Sequence, residues 1–375
     1  MRIIADQNIT FASEAFKDLG DVALVPSKEI NAGLVKSADA LFIRTATKVD
    51  KELVEGSRLK FIGSASVGTD HVDFQALRKL KITFASAAGC SARAVAEFVL
   101  CNWFAFNHRH GLSHLNQLLG IVGFGHVGQE LYRLAERLDI RCLIHDPFKE
   151  VKIKNQRFYP LETLRREADV ISLHVPLTKN GIHPTLRMID EPFFQDCKSS
   201  LIIINTSRGG IINEQIMRKY RNRFLGLIID VFENEPDISL TTLGIADIAT
   251  PHIAGYSIQA KVSATSIVHQ AACRLFKLKP SWRPQDSIRN QLIEVILQRK
   301  QNNIYEILSL IYPLYKDDLK QLDSSKQTSL ADYFSAYRNN YVFRDEFSSF
   351  KMSNSKLLEK FQIAQLKALG IQLDC

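Results

Sequence analysis

Cysteine is scarce in this chain and follows no pattern. Six residues (Cys90, Cys101, Cys142, Cys197, Cys273 and Cys375) are spread over 375 positions, and no two form a C-x-x-C pair. That excludes a ribbon-type zinc site and gives no disulfide framework, so the expectation is no metal centre and a reducing, cytoplasmic setting. Long hydrophobic runs are missing as well; none reaches the ~20 residues of a membrane span. The opening MRIIADQNIT has no basic stretch followed by an apolar one, and reads as lacking a secretory leader. No internal repeat of fixed period and no low-complexity tract is present. Acidic side chains are the scarcer charge, 40 against 48 basic, for a net charge of +8. The basic residues form no run, and from Arg283 onward 13 of them face 11 acidic ones. That spread argues against a nucleic-acid partner and favours a solvated surface that draws in small anions.

What is present suffices for two or three domains, with 46% of the chain hydrophobic. Short apolar runs alternate with helical stretches. RIIAD (2–6), DVALVPS, ALFIRTATKV, the run opening LKFIGS, and ITFASA read as strands; FASEAFKDLG reads as a short helix closed by Gly20. This βαβ rhythm implies a parallel sheet. ARAVAEFVLCNWFAF reads as a long apolar helix connecting two lobes. Further on, VISLHVPL, LIIIN, FLGLIID and IADIAT are nearly continuous apolar runs, as strands buried on both faces should be. Past Pro280 the character changes. SWRPQDS reads as a linker, and QLIEVILQRKQNNIYEILSLIYPLY and SKLLEKFQIAQLKALGIQL as amphipathic stretches of a small α+β domain. That segment carries no chemical motif, which points to assembly.

The chain is organised around residues 118–128, LLGIVGFGHVG. An apolar strand runs into Gly123, Gly125 and Gly128 in G-x-G-x-x-G spacing, and an amphipathic helix follows. Gly123 serves the tight turn, Gly125 the approach of backbone to a pyrophosphate, and Gly128 the packing of helix on strand. The helix start offers free N–H groups to phosphate. A second strand, RCLIHD, ends at Asp146, 18 residues beyond Gly128. A carboxylate there accepts hydrogen bonds from ribose hydroxyls and repels a 2′-phosphate, which favours NAD over NADP.

Three later strands each end in a residue of catalytic type. LIIIN runs into TSRGG with Arg208, LGLIID into VFENEP with Glu235, and IADIAT into PHIAGY with His252. Ligands of open α/β sheets bind beyond the carboxyl ends of strands. Hydride transfer from a 2-hydroxy acid needs a base for the hydroxyl proton, and imidazole suits that task. Glu235 would orient the base, with Glu233 as the alternative carboxylate. Arg208 offers a planar fork for the substrate carboxylate. His71, His108, His110, His114, His126, His145, His174 and His183 read as loop or surface residues.

GFGHVG, HVPLT, INTSRGGIIN, DVFENEP and TPHIAGY together resemble the D-isomer-specific 2-hydroxy acid dehydrogenases. The resemblance covers about residues 1–280. It implies an α/β fold in which a Rossmann-type NAD domain, 99–255, is inserted into a flavodoxin-like substrate domain, 1–98 plus 256–282. IRTATKVD, GSASVGTDHVD, AAGCSARAVAEFV, HIAGYS, NNYVFRDEFSSF and LKALGIQ resemble one branch of the family, which implies a C-terminal α+β dimerisation domain, 284–375, and a homodimer. The implied substrate is a small phosphorylated 2-hydroxy acid of four carbons, oxidised at C2 on the route to pyridoxal phosphate.

By position, the resemblance makes Arg208, Glu235 and His252 catalytic. Gly123, Gly125, His126, Val127, Gly128, Asp146, Val175, Thr206, Ser207, Arg208, Asp230 and Gly255 would face NAD. Val175 stands where that branch carries a hydroxyl residue, which leaves its backbone for the cofactor. Thr45 and Ser66 would contact substrate, and Tyr256 would close over it. Arg44 is the first candidate for the substrate phosphate, and Arg344 or Arg338 would reach it from a neighbouring subunit. Two other readings stand beside this one: a dehydrogenase of the 3-phosphoglycerate or hydroxypyruvate/glyoxylate type, and an NADH-sensing co-repressor that binds partners.

Overall fold

The computed structural model describes residues 1–288, 291–321 and 329–374, so Cys375 lies outside the described residues. The chain divides into two units, Met1–Ser91 with Ser257–Gln291, and Ala92–Tyr256 with Leu292–Cys375.

The first unit is a five-stranded parallel sheet of β1 (Arg2–Asp6), β2 (Asp21–Val25), β3 (Ala40–Ile43), β4 (Phe61–Ser64) and β5 (Thr83–Ser86). Its order is β2-β1-β3-β4-β5, the flavodoxin-like arrangement. The apolar runs predict buried strands, and β3 and β4 are buried along their whole length. The helix Ile258–Phe276 returns to this sheet and packs Ala264, Val268 and Ala272 against Ile3, Phe42 and Phe61. His269 on the same helix, absent from the sequence reading, is buried, with Nε2 2.9 Å from Asp18 Oδ1 and 3.4 Å from Cys273 Sγ. Asp18 also accepts from the Ser281 amide and hydroxyl, each at 2.9 Å. The cluster is a hydrogen-bonded clasp that ties the end of the unit to its beginning.

The second unit holds six parallel strands: β6 (Leu119–Val122), β7 (Cys142–His145), β8 (Val170–Leu173), β9 (Ile202–Asn205), β10 (Gly226–Ile229) and β11 (Ile248–Ala249). They lie in the order β11-β10-β9-β8-β6-β7. Strand succession reverses between β6 and β8, so a crevice opens at the carboxyl ends of these two strands. The helix Ala92–Arg109 is buried over most of its length, including Phe98, Trp103 and Phe106.

The C-terminal segment adds a small parallel sheet, β12 (Ile293–Ile296), β13 (Phe350–Ser353) and β14 (Gln372–Leu373), in that order. The sequence reading took 291–315 as one amphipathic stretch. Its first part is instead a strand, in which Ile293 and Val295 are partly covered and Glu294 and Ile296 exposed, a period of two rather than 3.6. The helix begins only at Ile304. Leu297, Ile304, Ile307, Leu308, Tyr312, Phe347 and Met352 share one apolar cluster with Phe98, Trp103 and Leu119. No helix among the described residues is long and apolar enough to cross a membrane, and the five described cysteines are free thiols.

Glu97 holds that shared core together. It lies buried in the helix Ala92–Arg109, 2.5 Å from Arg93 Nε, and both its oxygens accept from the Phe347 amide at 3.1 Å. Burial pushes its pKa up to about 8, against the pull of Arg93 and with help from the neighbouring Glu346 charge. The unfolded chain releases this proton near the ordinary 4.5. Over that window the folded state holds a proton the unfolded state has lost, so stability falls as pH rises. Glu97's contribution to stability therefore falls between about pH 5 and pH 8, so the melting temperature of Glu97→Gln relative to wild type rises with pH over that window. Scanning calorimetry across the range checks this; an equal slope in the variant contradicts it.

Candidate active site

The glycine turn follows β6. Gly123 has φ +93°, and a Cβ there would lie 2.7 Å from the His174 carbonyl oxygen on the neighbouring strand end. At Gly128 a Cβ would come within 2.0 Å of the Gly123 carbonyl oxygen, so only glycine lets the helix start this close to the strand. Gly125 faces open space, with nothing within 4 Å of an added Cβ. The helix His126–Arg137 begins with no side-chain cap, which leaves the first-turn amides at His126 and Val127 aimed outward. Thr206 Oγ1, after β9, is shielded from solvent and has no hydrogen-bond partner among the described residues. An uncapped helix start, an open glycine and an unpartnered hydroxyl at the strand ends together fit a dinucleotide.

Asp146 ends β7. Its Oδ2 accepts from the Phe124 amide at 2.8 Å, and its Oδ1 from the Phe148 and Lys149 amides at 3.1 and 3.0 Å. The carboxylate thus pins the glycine turn and caps the next helix. A carboxylate has about four acceptor sites, so capacity for a ribose hydroxyl remains. Val175 follows β8, and its side chain comes within 2.9 Å of a Cβ built on Gly123. The adjoining His174 lies in the loop just past β8 and is partly buried. Its Nε2 bonds Ser172 Oγ at 2.9 Å, while Nδ1 is shielded and unpartnered. Burial drives its pKa down to about 3, so the ring is neutral.

The three strand ends deliver their residues within this unit. After β9, Asn205 Oδ1 accepts from the Ser207 amide and hydroxyl at 3.1 and 2.7 Å, and its amide donates to the Arg208 carbonyl at 3.1 Å. The turn that carries Arg208 is therefore fixed by the strand's last residue. Beyond β10, Glu235 Oε2 lies 2.7 Å from His252 Nδ1, and its Oε1 accepts from the Phe232 amide at 2.9 Å. Burial acts to raise the Glu235 pKa, but His252, the Phe232 amide and Arg338 outweigh it and hold the carboxyl below its ordinary value. Glu233 turns away, toward the Glu214 amide at 3.5 Å.

His252 sits at φ +57°, an uncommon conformation for a non-glycine residue. Asp230 holds it there. Asp230, expected to face NAD, is buried and accepts from Thr250 Oγ1 (2.6 Å), the Ile253 amide (2.7 Å) and the Ala254 amide (3.0 Å). Burial raises its pKa to about 6 against those donors and His252. Gly255 and Tyr256 follow directly on this loop.

Both C-terminal arginines contact the His252 loop or the dyad within the one chain. Arg344 donates to the Ile253, Ala254 and Tyr256 carbonyls and, at 2.8 Å, to the Ala94 carbonyl. It clamps the His252 loop, and these bonds occupy the guanidinium that the sequence reading offered to a phosphate. Arg338 Nη1 lies 3.9 Å from Glu235 Oε2, and its Nη2 donates to Tyr256 Oη at 3.3 Å. In the first unit, Arg44 and Thr45 follow β3 and Ser66 follows β4, its neighbour in the sheet. Arg44 Nε pairs with Asp6 at 2.9 Å, which leaves only part of its fork for a ligand.

Comparison with known proteins agrees with this geometry. Residues 90–254 match the model of the D-isomer specific 2-hydroxyacid dehydrogenase, NAD binding domain. The erythronate-4-phosphate dehydrogenase of Chromohalobacter salexigens is 36% identical over 94% of this chain and 94% of its own length. That of Yersinia enterocolitica is 35% identical over 93% of this chain and 94% of its own. Among solved structures, the NAD+-bound 3-phosphoglycerate dehydrogenase of Entamoeba histolytica aligns with a TM-score of 0.62 at 28% identity, over 74% of this chain and 95% of that one.

Asp146→Ala removes both the anchor of the glycine turn and the charge that repels a 2′-phosphate. The ratio of kcat/KM with NADP to that with NAD rises by at least about tenfold, one 1.4 kcal/mol step. Steady-state assays with each cofactor measure it, and an unchanged ratio assigns the discrimination elsewhere.

Proposed function

We propose, on the premise that this chain belongs to the D-isomer-specific 2-hydroxyacid dehydrogenase family, that it oxidises 4-phospho-D-erythronate to 2-oxo-3-hydroxy-4-phosphobutanoate in vitamin B6 synthesis, with NAD as its cofactor. The observation that carries this reading is the Glu235–His252 pair at 2.7 Å, at the end of the sheet that bears the dinucleotide turn. Likeness over 94% of the chain, C-terminal segment included, to an erythronate-4-phosphate dehydrogenase supports the choice of substrate.

The reaction removes a proton from the C2 hydroxyl and a hydride from C2. Bound NAD supplies the hydride acceptor. With Nδ1 engaged by Glu235, His252 Nε2 is the ring nitrogen that takes the hydroxyl proton. Glu235, ionised below its ordinary range, fixes the tautomer and stabilises the imidazolium that forms. Arg208 holds the carboxylate and polarises the C2 oxygen as it becomes a carbonyl. Tyr256, Thr45 and Ser66 form the rest of the substrate-binding set in this reading. The chain acts as a cytoplasmic homodimer assembled through residues 284–375. Free thiols suit that compartment, and Val342 and Phe361, 87% and 52% exposed, are apolar surface that a second copy would cover.

Purified protein with NAD, offered 4-phospho-D-erythronate and 3-phosphoglycerate in parallel with a trap for the 2-oxo acid, forms NADH faster with the four-carbon acid. Preference for the three-carbon acid moves the enzyme to the 3-phosphoglycerate type. Arg208→Ala lowers kcat/KM by on the order of 10²–10³-fold, the usual loss for a group that stabilises developing charge; near-wild-type turnover removes its role. Sedimentation velocity reports twice the 42.5 kDa chain mass, whereas a monomer at every concentration refutes the dimer.

A further inference from the structure

The substrate of the proposed reaction is anionic at both ends, with a carboxylate at C1 and a phosphate at C4. Arg208 serves the reacting end, so the phosphate needs a separate cation. Two C-terminal arginines approach the catalytic loop, and they differ in how their donors are engaged. Arg344 is bonded to four backbone carbonyls and has a structural duty. Among the described residues Arg338 makes one hydrogen bond, 3.3 Å to Tyr256 Oη, and one charge contact, 3.9 Å to Glu235 Oε2, and its guanidinium carbon lies 6.0 Å from the Tyr256 ring and 5.8 Å from the Phe334 ring. Its Nε has no partner among the described residues, although its side chain remains 29% exposed. A guanidinium is a five-donor fork suited to bidentate oxyanions. One left this under-engaged beside the proton acceptor is built for an acceptor that arrives with a ligand.

The platform beneath it is rigid. Arg338 lies in the last turn of the helix Leu330–Asn339. Phe334, one turn earlier on the same face, is fully buried and packs edge-on against Phe232 at 6.2 Å. Phe232 is the residue whose amide holds Glu235. Tyr312 before the helix, Tyr337 within it and Tyr341 past it all donate hydroxyls to the Asp317 carboxylate, at 2.9, 2.9 and 3.0 Å. The Tyr256 ring lies edge-on to Tyr341 at 5.9 Å. Helix, tyrosine cluster and catalytic loop are thus packed into one body, and Arg338 is the cation this body presents next to the dyad.

From this arrangement we infer that Arg338 and Tyr256 Oη form the subsite for the substrate's phosphate monoester, supplied by the same chain that carries Arg208, Glu235 and His252. The inference rests on the proposed reaction for its substrate, and the subsite also has a chemistry of its own, the binding of a phosphate dianion. Tyr256 gives the subsite a neutral donor once its bond from Arg338 is shared with the ligand. Glu235 stays paired to His252 throughout, and the phosphate replaces it as the nearest anion to Arg338.

The test uses the full chain with NAD, Arg338→Gln and Arg338→Lys, two acids and inorganic phosphate. For 4-phospho-D-erythronate, Arg338→Gln raises KM by about 30-fold, the loss of a charge-assisted hydrogen-bond pair, beyond any loss it causes on the unphosphorylated acid through its contact with Glu235. For unphosphorylated D-erythronate the loss in kcat/KM, which reports the Glu235 contact alone, is at least about tenfold smaller. Calorimetry with inorganic phosphate shows affinity weakened by about tenfold in the same variant, and Arg338→Lys recovers part of both losses. Equal losses on the two acids overturn the subsite and make Arg338 a positioning residue for Glu235; unchanged phosphate binding overturns it too. Should the wild type oxidise neither acid while Arg338→Gln still loses phosphate, the reaction fails and the subsite stands. Should the wild type oxidise the phosphorylated acid with no change in Arg338→Gln, the subsite fails and the reaction stands.

Discussion

The hydrogen bond between Glu235 and His252 is the constraint on which the second unit's functional end depends. A carboxylate shielded from water is costly to keep charged, and a histidine at positive φ is strained. Each is tolerable only because the surroundings over-determine it. The Phe232 amide and Arg338 hold Glu235 on one side. Asp230 holds the His252 loop on the other, with three donors from Thr250, Ile253 and Ala254. Arg344 then clamps the carbonyls of the same loop from beneath. Reactive geometry is fixed before substrate arrives, which is where electrostatic catalysis draws its advantage.

The C-terminal segment is part of that scaffold. Its apolar side chains belong to the core of the dinucleotide-binding unit, and Glu97 joins the two through the Phe347 amide. Its arginines reach the catalytic loop from within the same chain. A segment with no chemical motif of its own therefore contributes to the site by bringing charge and rigidity to residues more than 80 positions away in sequence, as the Arg338 contact with Tyr256 illustrates. Removing it would open that core, so substitutions at single residues report on its part in the site where deletion cannot.

The sheets were legible because their strands are continuous apolar runs interrupted at regular intervals, and burial on both faces leaves little else such runs can do. The Arg208, Glu235 and His252 loops were legible because each follows directly on such a strand. β12 was misread because a short IEVI alternation abuts a helical pattern, and the two periods blur over so few residues. Asp230 came from the resemblance as a cofactor contact; only the fold shows that its oxygens also hold the next loop. His174 and His269 had no local signal that distinguishes a shielded imidazole from an exposed one. Arg338 and Arg344 lay within reach of the sequence reading as cations, but not as residues of the same chain's site, because tertiary packing alone decides which distant loop a C-terminal helix meets.

The central claim is that Glu235 fixes His252 with Nδ1 protonated and Nε2 bare, ready to take a proton. Nitrogen NMR of the full chain, selectively labelled in histidine and assigned with a His252→Gln control, reads the tautomer directly. The account predicts that neutral His252 carries its proton on Nδ1, and that Glu235→Gln disturbs this preference. A neutral ring protonated on Nε2, or a tautomer indifferent to the loss of the Glu235 charge, would contradict the assignment of His252 as the base and Glu235 as its anchor.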